Sequence, residues 1–539
     1  MLFTFWRRGC EDSNGDEREI FEQTRYEKVD WDCESEEQDD AFEEVHYNQP
    51  VDKPRASQHQ LTIIYILFLA EAIMASSLQS QLKMLITKDD FCGNLSTSYL
   101  ESILECAYAV GSVAGLFWGW MSDRRGRRPV ALVGVSGMAL CCIGMGFATD
   151  LLSCTIFRVL AGLVSSSIAV TTLTMIGDIS HSPAERAKNI SRLPLIALCG
   201  SVGPLVQRMV SNSIKANDEI WGKFPILSGQ IACGVLVLLI TMGTFLLLEE
   251  TLPGLESGRK EESIDIDCEK AAFLGETLDE SERDTAIRVL GVEKPDPISI
   301  CQILRAPSLV VLLASYSLLS LHSATFDQLL PHLGHSSTRH GGMGIPCSIL
   351  GLIVTVVSLV AGIIILLTAP GAVARLGLLR PYRLLSTAFP AIYMLTPVLT
   401  VFTTCSPAST ALIAILSILV KKVLHGSAGV FVALLVLNAS PDAFSTGTIV
   451  GLMQSASLFK ALAVAVSGAS FFLSNDFSVV TTNGTLWSAL ALFSVLGAAL
   501  AWFVRDHPVV GQDFPVSILK WETCFDAAAA ESAEMVEEA

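Results

Sequence analysis

The chain has 539 residues, 51% hydrophobic and only 17% charged, with a formal net charge of -18. A water-facing domain carries about 25% charged residues, so this balance excludes a disordered chain, a nucleic-acid binder and an ordinary soluble enzyme. The charge is also concentrated. Residues 1–59 hold 17 acids and 7 bases, residues 249–306 hold 15 and 7, and residues 505–539 hold 8 and 2, a net -24 that leaves +6 for the remainder. The expected organisation is an acidic, disordered N-terminal tail (1–59), an apolar block (60–248), an acidic central loop (249–306), a second apolar block (307–504) and an acidic C-terminal tail (505–539).

No apolar core follows Trp6-Arg7-Arg8, which leads straight into acidic sequence, so an uncleaved first apolar segment is expected to act as the membrane anchor. A helix needs roughly 20 apolar residues to cross a hydrocarbon core. Such stretches occur at 61–83, 99–120, 129–149, 152–176, 193–213 and 225–248 in the first block. The second block has them at 307–330, 349–370, 384–404, 409–435, 446–473 and 484–504. Pro204 in the fifth span and Pro390 and Pro397 in the ninth predict kinks, which membrane helices tolerate when neighbours satisfy the freed carbonyls. The 14 cysteines are scattered; Cys141, Cys142 and Cys233 lie in apolar runs and read as small hydrophobes. No metal-ligand spacing is present, and neither a metal nor a cofactor is expected.

Basic residues mark the cytosolic loops. Arg124, Arg125, Arg127 and Arg128 follow span two, Arg186, Lys188 and Arg192 follow span four, and Arg375, Arg380 and Arg383 follow span eight. All fall on one side, which places both tails and the central loop in the cytosol. Among four Asn-x-Ser/Thr sequons, Asn94 and Asn483 then land outside as glycosylation candidates, whereas Asn189 and Asn438 land inside. The Gly119–Arg128 turn after span two has a weak echo in Gly371, Arg375, Gly377 and Arg380 after span eight, as duplication of a six-helix unit would leave. A general excess of basic residues in short cytosolic loops explains the two arginines of the echo equally well.

The stretch Gly119-Trp120-Met121-Ser122-Asp123-Arg124-Arg125-Gly126-Arg127-Arg128 matches GxxxDRxGRR at every defined position. On this motif the chain resembles the major facilitator superfamily of transporters. Arg158 and Gly162 in span four and Gly203-Pro204 in span five support the resemblance. Glu249-Glu250-Thr251-Leu252-Pro253 and Asp327-Gln328-Leu329-Leu330-Pro331 resemble the fungal branch related to drug:proton antiporters. Where that branch continues GPxxGG, this chain has Gln207 and Arg208 in place of the two glycines. The resemblance implies an all-α polytopic membrane protein with twelve transmembrane helices in two pseudo-symmetric six-helix bundles. It also implies that Asp123 pairs with the start of span eleven near Ser445, Thr446 and Gly447. Arg127 is expected to meet Asp178, and together these contacts would form a latch on the cytosolic side.

Gly111, Gly115 and Gly119 recur at four-residue spacing and predict a smooth strip for close helix packing. Ionisable groups within hydrocarbon cost roughly 2.5 to 3.5 kcal/mol each on insertion scales, so each needs a reason. Glu71 near the middle of span one reads as a proton carrier, and Arg158 as a countercharge that tunes an interior carboxyl such as Glu71, Glu101 or Glu105. Glu101 and Glu105 share a face near the outer end of span two, where simple interfacial exposure competes with a cavity role. His322 is a candidate relay or a hydrogen-bonded structural residue, and Asp327 is the stronger candidate in span seven. Lys421 and Lys422 point about 100° apart on a helix, so at most one is expected to face a cavity; His425 and Lys460 complete the candidates in the second block.

The function these features predict is proton-coupled efflux of a xenobiotic or secondary metabolite by alternating access. The expected partners are a small organic substrate, protons and the lipid bilayer, with no nucleic acid, and the expected state is a monomer. The plasma membrane is the first expectation and a vacuolar or other internal membrane the second. Nutrient uptake by symport or facilitated diffusion is the alternative within transport, and a non-transporting receptor or scaffold is the alternative outside it.

Overall fold

The structure is a computed structural model that describes residues 54–86, 97–180, 182–213, 224, 226–252, 300–335, 345, 347–402, 407–440, 443–456, 458–465 and 484–504. Residues 1–53 of the N-terminal tail, the whole C-terminal tail, most of the central loop and the sequons at Asn94 and Asn483 lie outside the described residues, and the expected tail residues 54–59 belong to the first helix. Among the described residues every regular element is helical. That is the physical answer to an apolar chain in hydrocarbon, where only a helix or a closed barrel satisfies its own backbone.

In the first block α1 is Pro54–Ile86 and α2 is Thr97–Gly111, which a short 3-10 turn joins to α3, Gly115–Arg125. Next come α4, Arg127–Met145, and α5, Leu151–Ile179. The fifth span is built from α6, Pro183–Ile190, α7, Leu193–Cys199, and α8, Val202–Ser213, and α9, Leu227–Leu247, is the sixth. In the second block α10 is Pro307–His335, α11 Cys347–Leu376, α12 Leu379–Phe402, α13 Pro407–Asn438, α14 Ala443–Ser455 and α15 Gly484–Phe503. Among the described residues ten segments are long and apolar enough to cross a membrane. The expected ninth and twelfth spans correspond to α12, which carries Arg380 and Arg383 at its start, and to α15.

The loops are shorter than expected. Helix continues through Arg125 and resumes at Arg127, so the turn after span two shrinks to Gly126, whose φ of 99° and ψ of 157° suit glycine alone. Arg186, Lys188 and Arg192, expected in a loop, belong to the start of span five, where Ser182 accepts a hydrogen bond from the Glu185 amide at 3.1 Å and Pro183 opens the helix. Pro204 does not kink a continuous helix. It lies in the first turn of α8, where a missing N–H costs little, and the break falls at Gly200 and Ser201. Pro390 and Pro397 lie within α12, which is uninterrupted.

Within the first block α1 packs on α5, α7, α8 and α9, and α4 packs on α5 and α9. Within the second, α15 packs on α10 and α12, and α13 on α11 and α12. The blocks meet mainly where α3 crosses α14 and where α6 and α7 touch α11. These are spans two with eleven and five with eight, a pair of contacts that exchange when six is added to or subtracted from each span number. Two repeats related by a two-fold axis meet in this way. Outward faces are apolar: Leu152, Leu246 and Leu367 are each more than 70% exposed, as contact with lipid requires.

Candidate functional site

A cavity of about 340 Å³ lies between the blocks, walled by α2 on one side and by α10, α13 and residues 454–464 on the other. Glu105, Tyr108 and Ser112 line it from the first block; Ser323, Asp327, His425 and Lys460 line it from the second.

Glu71 stands behind the first wall. Ser165 donates a hydrogen bond to its carboxylate at 2.6 Å, and the Tyr108 hydroxyl lies 2.7 Å from Ser165 and 3.5 Å from the same carboxylate oxygen. Tyr108 thus touches both Glu71 and the cavity. Arg158 is buried and does not pair with Glu71. Its guanidinium lies 3.9 Å from Glu105, donates to the Leu104 carbonyl at 3.3 Å and covers the Tyr108 ring at 4.9 Å. The reason is rotational: Glu105 and Tyr108 are one turn apart on α2, so one arginine on α5 spans both. Glu105 is a cavity residue, while Glu101, one turn earlier, is half-buried and outside the cavity wall.

On the second wall Asp327 takes both lysines, Lys421 at 2.7 Å and Lys422 at 3.3 Å. Neither lysine lines the cavity, in keeping with the expectation that at most one would face it; both reach Asp327 because each ammonium rides on a four-carbon stem, which makes up the angular difference between neighbouring Cα positions. Lys421 also donates to the Ser323 carbonyl at 3.3 Å and lies over the Phe326 ring. Ser323 bonds His425 Nδ1 at 2.9 Å, so His425 is held at the cavity. His322 is elsewhere: its Nδ1 lies 2.8 Å from the Tyr393 hydroxyl, packed against Phe389, and it is outside the cavity wall. Tyr108, Ser165 and Ser323 carry no motif, and sequence reasoning passed over them.

The end of the molecule at Gly126 is closed by polar contacts. Asp123 accepts from the Gly447 amide at 2.8 Å, the Thr448 amide at 2.6 Å and the Thr448 hydroxyl at 2.7 Å, all in the first turns of α14. Arg127 is fully buried, pairs with Asp178 and donates to the Thr174 carbonyl at 3.0 Å. Glu250 was not singled out as a contact residue, yet its carboxylate accepts from the Arg127 amide at 2.8 Å and the Arg128 amide at 3.1 Å, capping the start of α4. Arg128 donates to the Phe245 carbonyl, and Arg124 covers Trp120. The glycine strip divides its partners. Gly115 and Gly119 face Gly451 and Gly447 of α14, whereas Gly111 faces Val159 and Leu163 of α5. Gly203 faces Ile73 and Ser77 of α1.

Comparison with known proteins places this architecture. The family model described as Major Facilitator Superfamily matches residues 61–465. A curated relative is the "Major facilitator superfamily multidrug transporter mfsB" of Aspergillus fumigatus, 26% identical over 454 residues, covering 73% of this chain and 74% of the relative. The "Major facilitator-type transporter psiT2" of Psilocybe cubensis is 24% identical and covers 74% of this chain and 80% of its own. Among solved structures, the proton:xylose symporter XylE bound to 6-bromo-6-deoxy-D-glucose has a TM-score of 0.59 at 16% identity, over 84% of this chain and 96% of XylE. The family match runs through most of both membrane blocks, and the chain accordingly belongs to the major facilitator superfamily: it is a multi-pass membrane transporter and not an enzyme.

Proposed function

We propose that the protein exports small organic molecules by alternating access, driven by protons moving inward. The observation that carries this reading is Glu71: a carboxylate in the membrane interior, tied through Ser165 and Tyr108 to the cavity wall, where Glu105 stands with Arg158 behind it. A chain of hydroxyls between an interior carboxylate and a cavity gives a proton a path that substrate occupancy can open or block. The names of the relatives from Aspergillus and Psilocybe support a transporter, and that of the former a multidrug role. With the basic loops in the cytosol, the Asp123 contact on α14 and the Arg127–Asp178 pair are the cytosolic latch, and both tails and the central loop are cytosolic. This conformation is then closed towards the cytosol. The plasma membrane is the proposed location, with a monomer as the working unit.

Reconstitution into vesicles with an imposed pH gradient tests this. Fluorescent lipophilic compounds should move against the proton flow in the native chain, and Glu71→Gln should uncouple movement from the gradient while leaving exchange at equal pH. Gradient-driven movement unchanged in Glu71→Gln removes that residue from coupling. Substrate accumulating in the same direction as the protons would mean uptake by symport.

A further inference from the structure

The two walls of the cavity are unequal in charge. On the first, Glu105 has Arg158 within 3.9 Å, so that pair is internally compensated. On the second, one carboxylate, Asp327, serves both Lys421 and Lys422, and a third ammonium, Lys460, lines the cavity with no carboxylate within ion-pair distance among the described residues. Two cations on that wall are left without a counter-anion of their own, against at most one uncompensated anion, Glu71, behind the other. An ammonium in a low-dielectric interior is costly to leave unpaired, and this one lines the cavity.

We propose that the transported molecule is an organic anion whose carboxylate or similar group seats against Lys460. This rests on the efflux reading above and names its substrate class. Gln328, Gln454 and Ser320 border the same space and offer neutral donors to the remaining oxygens of such a group. Ala109, Ala324 and Val464 leave apolar wall for a carbon skeleton. The volume of about 340 Å³ lies at the small end for organic ligands. The anion completes the charge balance that the protein leaves open: Asp327 is already occupied by two lysines, so a cationic substrate would find no free carboxylate on this wall.

Three probes with one ring system separate the possibilities: 1-naphthoate, 1-naphthamide and 1-naphthylmethylammonium. Each is titrated against the full-length protein in detergent by calorimetry and by protection from thermal unfolding. Naphthoate should bind in preference to the other two. Lys460→Gln should weaken it by about tenfold or more, and Lys460→Arg should restore most of the affinity. Preference for the ammonium, failure of all three to bind, or naphthoate affinity within about twofold of native in a folded Lys460→Gln would overturn the proposal. Vesicle flux keeps the two readings apart. If protons drive the ammonium probe and naphthoate does not bind, efflux stands and the anion assignment falls. If naphthoate binds through Lys460 yet no gradient moves it, the assignment stands and coupled efflux falls.

Discussion

The turn after span two and its counterpart after span eight share a glycine pattern but not its contacts. At the first, Gly119 meets the backbone of Gly447, Asp123 holds two amides and a hydroxyl of α14, and Gly126 is covered by Glu250. At the second, Gly371 and Gly377 have nothing within 4 Å of a Cβ placed on them, and Arg375 stands, exposed, where the first turn has its aspartate. Gly377 keeps a positive φ of 75°, so the backbone requirement of the turn persists. What is missing is the carboxylate: α6 still packs on α11, but not against Gly371 or Gly377. On the opposite side, the start of span five is capped by its own Ser182 and has no need of a carboxylate from span eight. A repeated loop can therefore preserve its bend while only one copy fastens the two blocks together.

The sharpest way to break this contrast is with volume. Gly119→Leu drives a side chain into the Gly447 carbonyl and Gly451, both backbone that cannot rotate away. Overpacking of this kind costs about 1–3 kcal/mol, occasionally more, and it acts on the contact that must open and close. Vesicle flux should fall by about fivefold to a hundredfold or more. Gly371→Leu, projecting into open space, should transport as the native chain does. Equal losses from the two would show that the glycines serve the bend and not the contact.

Charge gives the next effect. Asp123→Asn keeps one acceptor oxygen but loses the charge that strengthens three hydrogen bonds to α14. A loss of about 1–3 kcal/mol is expected from the closed state, read as increased labelling of a cysteine placed at Ser445, which is buried beneath the contact. Arg375→Gln has no comparable partner to lose and should leave labelling unchanged.

Much of this contrast is legible in the sequence. The GxxxDRxGRR stretch pointed to Asp123, to the start of span eleven and to Asp178, and those residues meet. Such contacts are readable because a whole motif specifies both a turn and the element beside it. The cavity was less legible. Arg158 was expected as the countercharge to an interior carboxyl and stands beside Glu105; which of the acids an arginine reaches depends on the rotation of α2 against α5, and neither segment encodes that alone. Lys421 and Lys422 converge on Asp327 because side-chain reach overrides helix phase. Glu250 lay inside a recognised stretch but gave no sign that its partner was the backbone of α4, since amide donors have no signature in sequence.

The smallest effect discriminates most finely, since it compares the two turns at the one feature they share. Gly126→Ala and Gly377→Ala both place a Cβ where φ is positive, at 99° and 75°. Each should lose about 1–2 kcal/mol from backbone strain alone. At Gly126 the new methyl also displaces the Glu250 carboxylate and with it the hydrogen bonds to the Arg127 and Arg128 amides, a cap worth about 1 kcal/mol. Thermal unfolding of the purified protein should therefore rank Gly126→Ala below Gly377→Ala. In a Glu250→Ser background the shorter side chain neither caps nor obstructs, so the gap between the two alanine variants should close. A gap that survives Glu250→Ser would assign the difference to the backbone and would remove Glu250 from the account of why the first turn is special.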